Sequence, residues 1–91
     1  MDGRALVAWN LRRVRVERGL SQERLAFDSG VDRSYVGGLE RGEENPTVDV
    51  LDRLAVTLGV KLGELFVDPG PDQAPPKPLR RGRRPSRQGL R

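Results

Sequence analysis

Ninety-one residues suffice for one small folded unit and are too few for the paired lobes that most enzymes build around a substrate cleft. Without Cys or His the chain has no zinc finger, disulfide framework, Cys nucleophile or Ser-His-Asp triad, so neither catalysis nor a cofactor is expected. The net charge of +4 is unevenly spread: residues 1–68 carry ten Lys and Arg against twelve Asp and Glu, a net −2, whereas residues 69–91 carry seven against one, a net +6.

Apolar residues divide the same way, with only three in positions 69–91, which also hold six of the seven prolines. A chain so poor in apolar side chains cannot offset the cost of ordering its backbone, about 1–2 kcal/mol per residue. The sequence therefore predicts a domain over 1–68 and a disordered Pro- and Arg-rich tail over 69–91. No apolar run reaches the length of about 18 residues that a membrane span needs, and charge interrupts the N-terminal stretch MDGRALVAWNLRR where an export signal would be apolar. Neither segment is expected, and the predicted location is cytoplasmic.

Within 1–68 the apolar spacing is helical, broken by short glycine-bearing or polar turns, which predicts an all-α fold. A first helix, about Arg4 to Arg18, carries Val7, Leu11 and Val14 on one stripe and ends at Gly19. Ser21 is a good N-cap for a short second helix with Leu25 and Ala26 inside and Gly30 at its end. Asp32 caps a third helix that turns Val36 and Leu39 inward and ends at Gly42. Asn45-Pro46-Thr47 reads as a turn and cap before a fourth helix with Val48, Leu51, Leu54, Ala55 and Leu58 inside and Gly59 behind it. A last short helix, about Lys61 to Phe66, adds Leu62, Leu65 and Phe66.

Two short helices joined through Gly30-Val31 form a helix-turn-helix. The run Gly19-Leu20-Ser21-Gln22-Glu23-Arg24-Leu25-Ala26, then Gly30, then Asp32-Arg33-Ser34-Tyr35-Val36 and Leu39-Glu40-Arg41-Gly42, followed by Asn45-Pro46-Thr47, Leu54-Ala55 and Leu58-Gly59-Val60, resembles the Cro/C1-type (XRE) helix-turn-helix regulators. The Asp-Arg-Ser-Tyr-Val segment with Gly38 and Glu-Arg-Gly is most similar to the controller proteins of restriction-modification systems. The resemblance spans about residues 5 to 66. It implies a five-helix lambda-repressor-like domain acting as a homodimer, with one helix 3 per subunit in successive major grooves of a near-palindromic operator. It also implies that Gln22 holds a phosphate and braces helix 3, and that Arg15 and Glu40 form an ion pair between helices 1 and 3.

The residues support a DNA-reading face in their own right. Positions 33, 34, 37 and 38 share one side of helix 3, opposite Val36, Leu39 and Glu40. Arg33 can donate two hydrogen bonds to guanine O6 and N7, and Ser34 can reach a base or phosphate. Gly37 and Gly38 are each unfavourable inside a helix, by about 0.5–1 kcal/mol relative to Ala. They fit either close approach of the helix to DNA, making them base-facing, or crowding by a neighbouring helix. Ser21, Gln22, Tyr35, Arg41, Asn45 and Thr47 are the candidate backbone contacts. Glu43 and Glu44 would repel phosphates, so either their loop turns away from DNA or the two carboxylates weaken non-specific binding. Glu43, Glu44, Asp49 and Asp52 lack ligand spacing and no metal site is expected.

Three further surfaces remain. Trp9 and Val16 share a face of helix 1 about 200° from Val7, so with Leu6 they are expected outside the main core, either against the tail or a second protein or as a half-exposed Trp. Val56, Val60, Leu62, Leu65 and Phe66 are the expected homodimer surface, with closure of the monomer core as the other reading of Leu62 and Phe66. Arg80, Arg81, Arg83 and Arg84 suit phosphate attraction, and Arg81-Gly82-Arg83-Arg84-Pro85 is similar to an AT-hook core with one extra Arg. The function expected is a dimeric, autoregulatory repressor acting on double-stranded DNA with no small-molecule effector. The alternatives are an antitoxin-type protein of the same fold that binds a toxin and its own promoter, and a non-specific nucleic-acid binder working through the tail. Deleting residues 69–91 is predicted to flatten the salt dependence of DNA affinity and leave sequence preference intact, as read by titrations at several salt concentrations.

Overall fold

Asp2 starts the first helix one residue earlier than expected, because its carboxylate accepts the Ala5 N–H at 2.9 Å. The computed structural model describes residues 1–70, which form α1 (Gly3–Glu17), α2 (Gln22–Ser29), α3 (Arg33–Glu40), α4 (Val48–Leu58) and a 3-10 helix (Leu62–Phe66). The three caps expected from sequence all form: Ser21 accepts from the Arg24 N–H at 2.9 Å, Asp32 from Ser34 at 3.0 Å and Thr47 from Val50 at 3.1 Å. Each satisfies an amide that the helix start leaves without a partner. At the other end of α2, Gly30 adopts φ 73° and the Val31 N–H returns to the Ala26 carbonyl at 3.2 Å. A side chain is strained in that left-handed turn, so glycine there sets the angle between α2 and α3.

The core is continuous through all five elements. Val7, Leu11 and Val14 of α1 meet Leu25 and Ala26 of α2, Val36 and Leu39 of α3, Leu51, Leu54, Ala55 and Leu58 of α4, and Leu65. Truncating a fully buried leucine such as Leu11 or Leu54 to alanine costs about 2–5 kcal/mol. Val48, expected inside, is exposed at the first position of α4.

Two further expectations need correction. Leu65 was placed in a dimer surface, but it is 0% exposed and belongs to the core. The physical reason is the tighter helix: with three residues per turn, Leu62 and Leu65 fall on one face, and that face is turned toward α1. Asn10, fully buried on α1, enforces the turn. Its side-chain amide donates to the carbonyls of Leu6 (3.0 Å), Leu65 (3.2 Å) and Val67 (2.9 Å). Leu62 and Val60 are half-buried against the core, which leaves Val56, 72% exposed, and Phe66, 44% exposed, as the open members of that group.

The second correction concerns α1. Trp9 lies outside the main hydrophobic cluster as expected, but it is only 9% exposed, and the Arg13 guanidinium stands 5.5 Å from its ring centroid. Leu6 and Val16 are half-buried. The stripe Leu6, Trp9, Val16 is therefore not an open docking face. The arginines expected to contact phosphate, Arg80, Arg81, Arg83 and Arg84, lie outside the described residues, as does nearly all of the expected tail.

Candidate nucleic-acid interface

A helix can present side chains to a groove reproducibly only if its own orientation is fixed, and here one buried carboxylate fixes it. Glu40, in the last turn of α3, accepts hydrogen bonds from both other helices that flank α3. From α1, Arg15 donates through Nε at 2.5 Å and Nη2 at 2.8 Å, and Arg12 through Nε at 3.3 Å; from α2, Gln22 donates through Nε2 at 3.1 Å. Arg15 is itself buried, and its remaining nitrogen donates to the Leu20 carbonyl at 2.7 Å, closing the turn between α1 and α2. The ion pair implied for Arg15 and Glu40 is present. Arg12 was not foreseen in it, and Gln22 acts as the brace expected of it.

Burial alone would push the Glu40 carboxyl up. The hydrogen bonds from Arg15 and Gln22, the Arg15 charge and the Arg12 bond together outweigh that, so it stays below its ordinary value. A carboxyl lowered by folding stabilises the fold fully above its ordinary value, near 4.5, and loses that contribution as pH falls through the lower folded value.

The outer side of α3 carries exposed charge already in loose pairs. Arg33 occupies the first helical position, with its side chain 62% exposed and its Nε 3.6 Å from Glu23 of α2. The Ser34 hydroxyl donates to the Asp32 carboxylate, which with the Tyr35 and Ser34 amides holds the Asp32 carboxyl below its ordinary value. Arg41, just past α3, pairs with Glu43 at 3.0 Å. Ser21 and Thr47 use oxygen lone pairs to cap α2 and α4, and each hydroxyl keeps a proton that can be donated to a phosphate. Asn45 is exposed, and Tyr35 is half-buried with its ring against the core.

Gly37 and Gly38 differ from the base-facing reading. Both are buried by side chains laid across them, Gly37 by Arg41 and by Gln22 of the neighbouring α2, Gly38 by Glu44 of the following loop. A Cβ on Gly37 would stand 3.2 Å from Arg41 Nη1 and 3.6 Å from Gln22 Oε1; one on Gly38 would stand 2.8 Å from Glu44 Cγ and Oε2. The chain reverses immediately after α3, and the Glu43 N–H returns to the Gly38 carbonyl at 2.9 Å. That reversal lays Glu44 on the helix. The loop therefore folds back over α3 and does not turn away from it.

Other residues escaped the sequence reading. Asn10 had a visible signal, an amide on the buried Val7-Leu11-Val14 side of an amphipathic helix. Phe27 projects from α2 almost fully exposed, with the Arg24 guanidinium 5.9 Å from its ring centroid, and no apolar periodicity marks it. Among the described residues, no group of three acidic side chains is placed to hold a metal ion, and no helix is long and apolar enough to cross a membrane.

Comparison with known proteins bears on this geometry. A family model described as helix-turn-helix matches residues 11–65. An uncharacterized HTH-type transcriptional regulator, y4dJ, from Sinorhizobium fredii is 49% identical over 65 residues, covering 71% of this chain and 84% of that protein. The crystal structure of the restriction-modification controller protein C.AhdI from Aeromonas hydrophila superposes with a TM-score of 0.68 at 48% identity, over 69% of this chain and 96% of that one. The controller protein C.Esp1396I, solved as a tetramer in complex with its natural 35 base-pair operator, superposes with a TM-score of 0.64 at 33% identity, over 69% of this chain and 83% of that one.

Replacing Glu40 by Gln keeps the shape and removes the charge, stranding buried Arg15. The expected loss is about 3–5 kcal/mol of stability, with a melting temperature that falls less steeply than in the wild type as pH drops below the ordinary carboxylate range. Thermal unfolding across that pH range measures both.

Proposed function

We propose, for a chain that belongs to the Cro/C1-type (XRE) helix-turn-helix family of DNA-binding transcriptional regulators, that it binds operator DNA as a homodimer and represses by occupying promoter DNA, its own included. In this reading α3 of each copy lies in a major groove, and the two half-sites stand one helical turn apart. Arg33 reads a guanine through O6 and N7, Ser34 reaches the neighbouring base or phosphate, and Gln22, Ser21, Tyr35, Arg41, Asn45 and Thr47 set the register on the backbone.

The observation that carries the reading is Arg33 itself. It is an exposed guanidinium at the start of a helix whose far end is locked by Glu40, and its present partner is an exposed carboxylate 3.6 Å away. Exposed pairs of this kind contribute about 0–1 kcal/mol, so exchanging Glu23 for a guanine edge costs little. The operator-bound tetramer of C.Esp1396I supports docking on DNA by more than one copy. For the dimer surface the exposed apolar Val56 and Phe66 support the C-terminal half, with half-buried Val60 and Leu62 beside it.

Of the alternatives, binding of a toxin through the Leu6, Trp9, Val16 stripe loses its main support, because Trp9 is covered. Selection of bound duplexes from a random pool is expected to return a symmetric motif with a guanine in each half-site. Arg33→Ala is expected to weaken binding to that motif by about 1–3 kcal/mol and to relax preference at that position. Equal loss on all duplexes would instead make Arg33 a phosphate contact.

A further inference from the structure

The proposed docking does not use Glu44, yet its placement on the α3 surface is specific. Its side chain lies flat on Gly38, close enough that a Cβ there would collide with Cγ and Oε2 at 2.8 Å and with Cδ at 3.2 Å. Gly38 is four residues beyond Ser34, so both stand on the side of the helix that begins with Arg33. Glu44 also lines a shallow hollow of about 350 Å³ together with Ser34, Tyr35 and Arg53. Among the described residues its carboxylate has no hydrogen bond or ion pair, whereas Glu23, Glu40 and Glu43 each have one.

We propose that Glu44 is a specificity-determining residue, its carboxylate accepting a hydrogen bond from the N4 amine of a cytosine in the major groove, in the same half-site as the Arg33 guanine. The inference rests on the docking of α3 proposed above. An unpaired carboxylate on a surface that meets DNA can be satisfied only by a donor. Phosphates are excluded by charge. The guanine edge offers N7 and O6, both acceptors; thymine offers the O4 acceptor and a methyl group; adenine sets its N6 donor beside the N7 acceptor. Cytosine alone presents a donor with no acceptor of its own next to it. The same carboxylate repels every other arrangement, so it lowers affinity for unrelated duplexes while rewarding one base. Glycine at position 38 is then required by Glu44 and not by DNA, because any side chain there would push the carboxylate off the helix.

The test is selection from a random duplex pool with the full-length wild type, Glu44→Ala and Glu44→Gln, followed by titration of the selected duplexes. In the wild type one position per half-site, besides the Arg33 guanine, is expected to be restricted to cytosine. In Glu44→Ala that position becomes degenerate, affinity for the wild-type duplex drops roughly ten-fold, and affinity for duplexes with other bases there rises. In Glu44→Gln the preference moves to adenine, whose N6 and N7 suit an amide. If Glu44→Ala selects the same bases as the wild type and binds all duplexes more tightly by one common factor, the carboxylate is only a repulsive charge and the proposal is wrong. A wild type that enriches no motif would overturn the α3 reading itself, which is a different result.

Discussion

Everything on the candidate interface depends on the buried Glu40 carboxylate. Its two oxygens receive four side-chain donors, three from α1 and one from α2, which about exhausts what a carboxylate can accept. A buried ion cluster of this kind is poor evidence for added stability, since the desolvation of both charges offsets much of their attraction. Its effect is geometric. An apolar contact tolerates sliding, whereas a bidentate arginine on a carboxylate does not, so the far end of α3 is pinned to α1 and α2 while Arg33 and Ser34 at its start face solvent.

The exposed half of α3 follows a different logic. Arg33 and Arg41 stand in solvent-exposed pairs with Glu23 and Glu43, where water and salt weaken the attraction. Such pairs keep the guanidinium groups oriented without committing them. Since the residues up to 68 sum to −2, the folded part has no general attraction for a polyanion. Its contact with DNA must come from where a few cations and donors sit, and the acidic side chains around them penalise any register in which they do not fit. The net positive charge of the chain resides instead in residues 69–91, which sum to +6.

Much of this was legible in the sequence because it is written in local signals. Ser21, Asp32 and Thr47 announced three helix starts, Gly30 and Gly59 two helix ends, and the spacing of Leu51, Leu54, Ala55 and Leu58 the buried face of α4. What failed depended on contacts between distant residues. Leu65 was misplaced because the last helix is a 3-10 turn held by Asn10 across 55 positions of sequence, which no local pattern reveals. Trp9 lay off the main stripe, as its helical angle required, but its cover could not be read from that angle. Gly37 and Gly38 were recognised as unusual for a helix; the side chains that occupy the space above them come from Gln22, Arg41 and Glu44, and the chain reversal that delivers Glu44 is visible only in three dimensions.

The central claim is that Glu40 sets the orientation of α3 before any DNA is bound. Amide hydrogen exchange in the free protein tests it most directly, comparing wild type with Glu40→Gln under conditions where both remain folded. Loss of protection at the α3 amides in excess of the loss that the lower global stability produces at the core amides of Leu54 and Ala55 in α4 is the predicted result. Equal acceleration throughout the domain, or no change in α3, would contradict it.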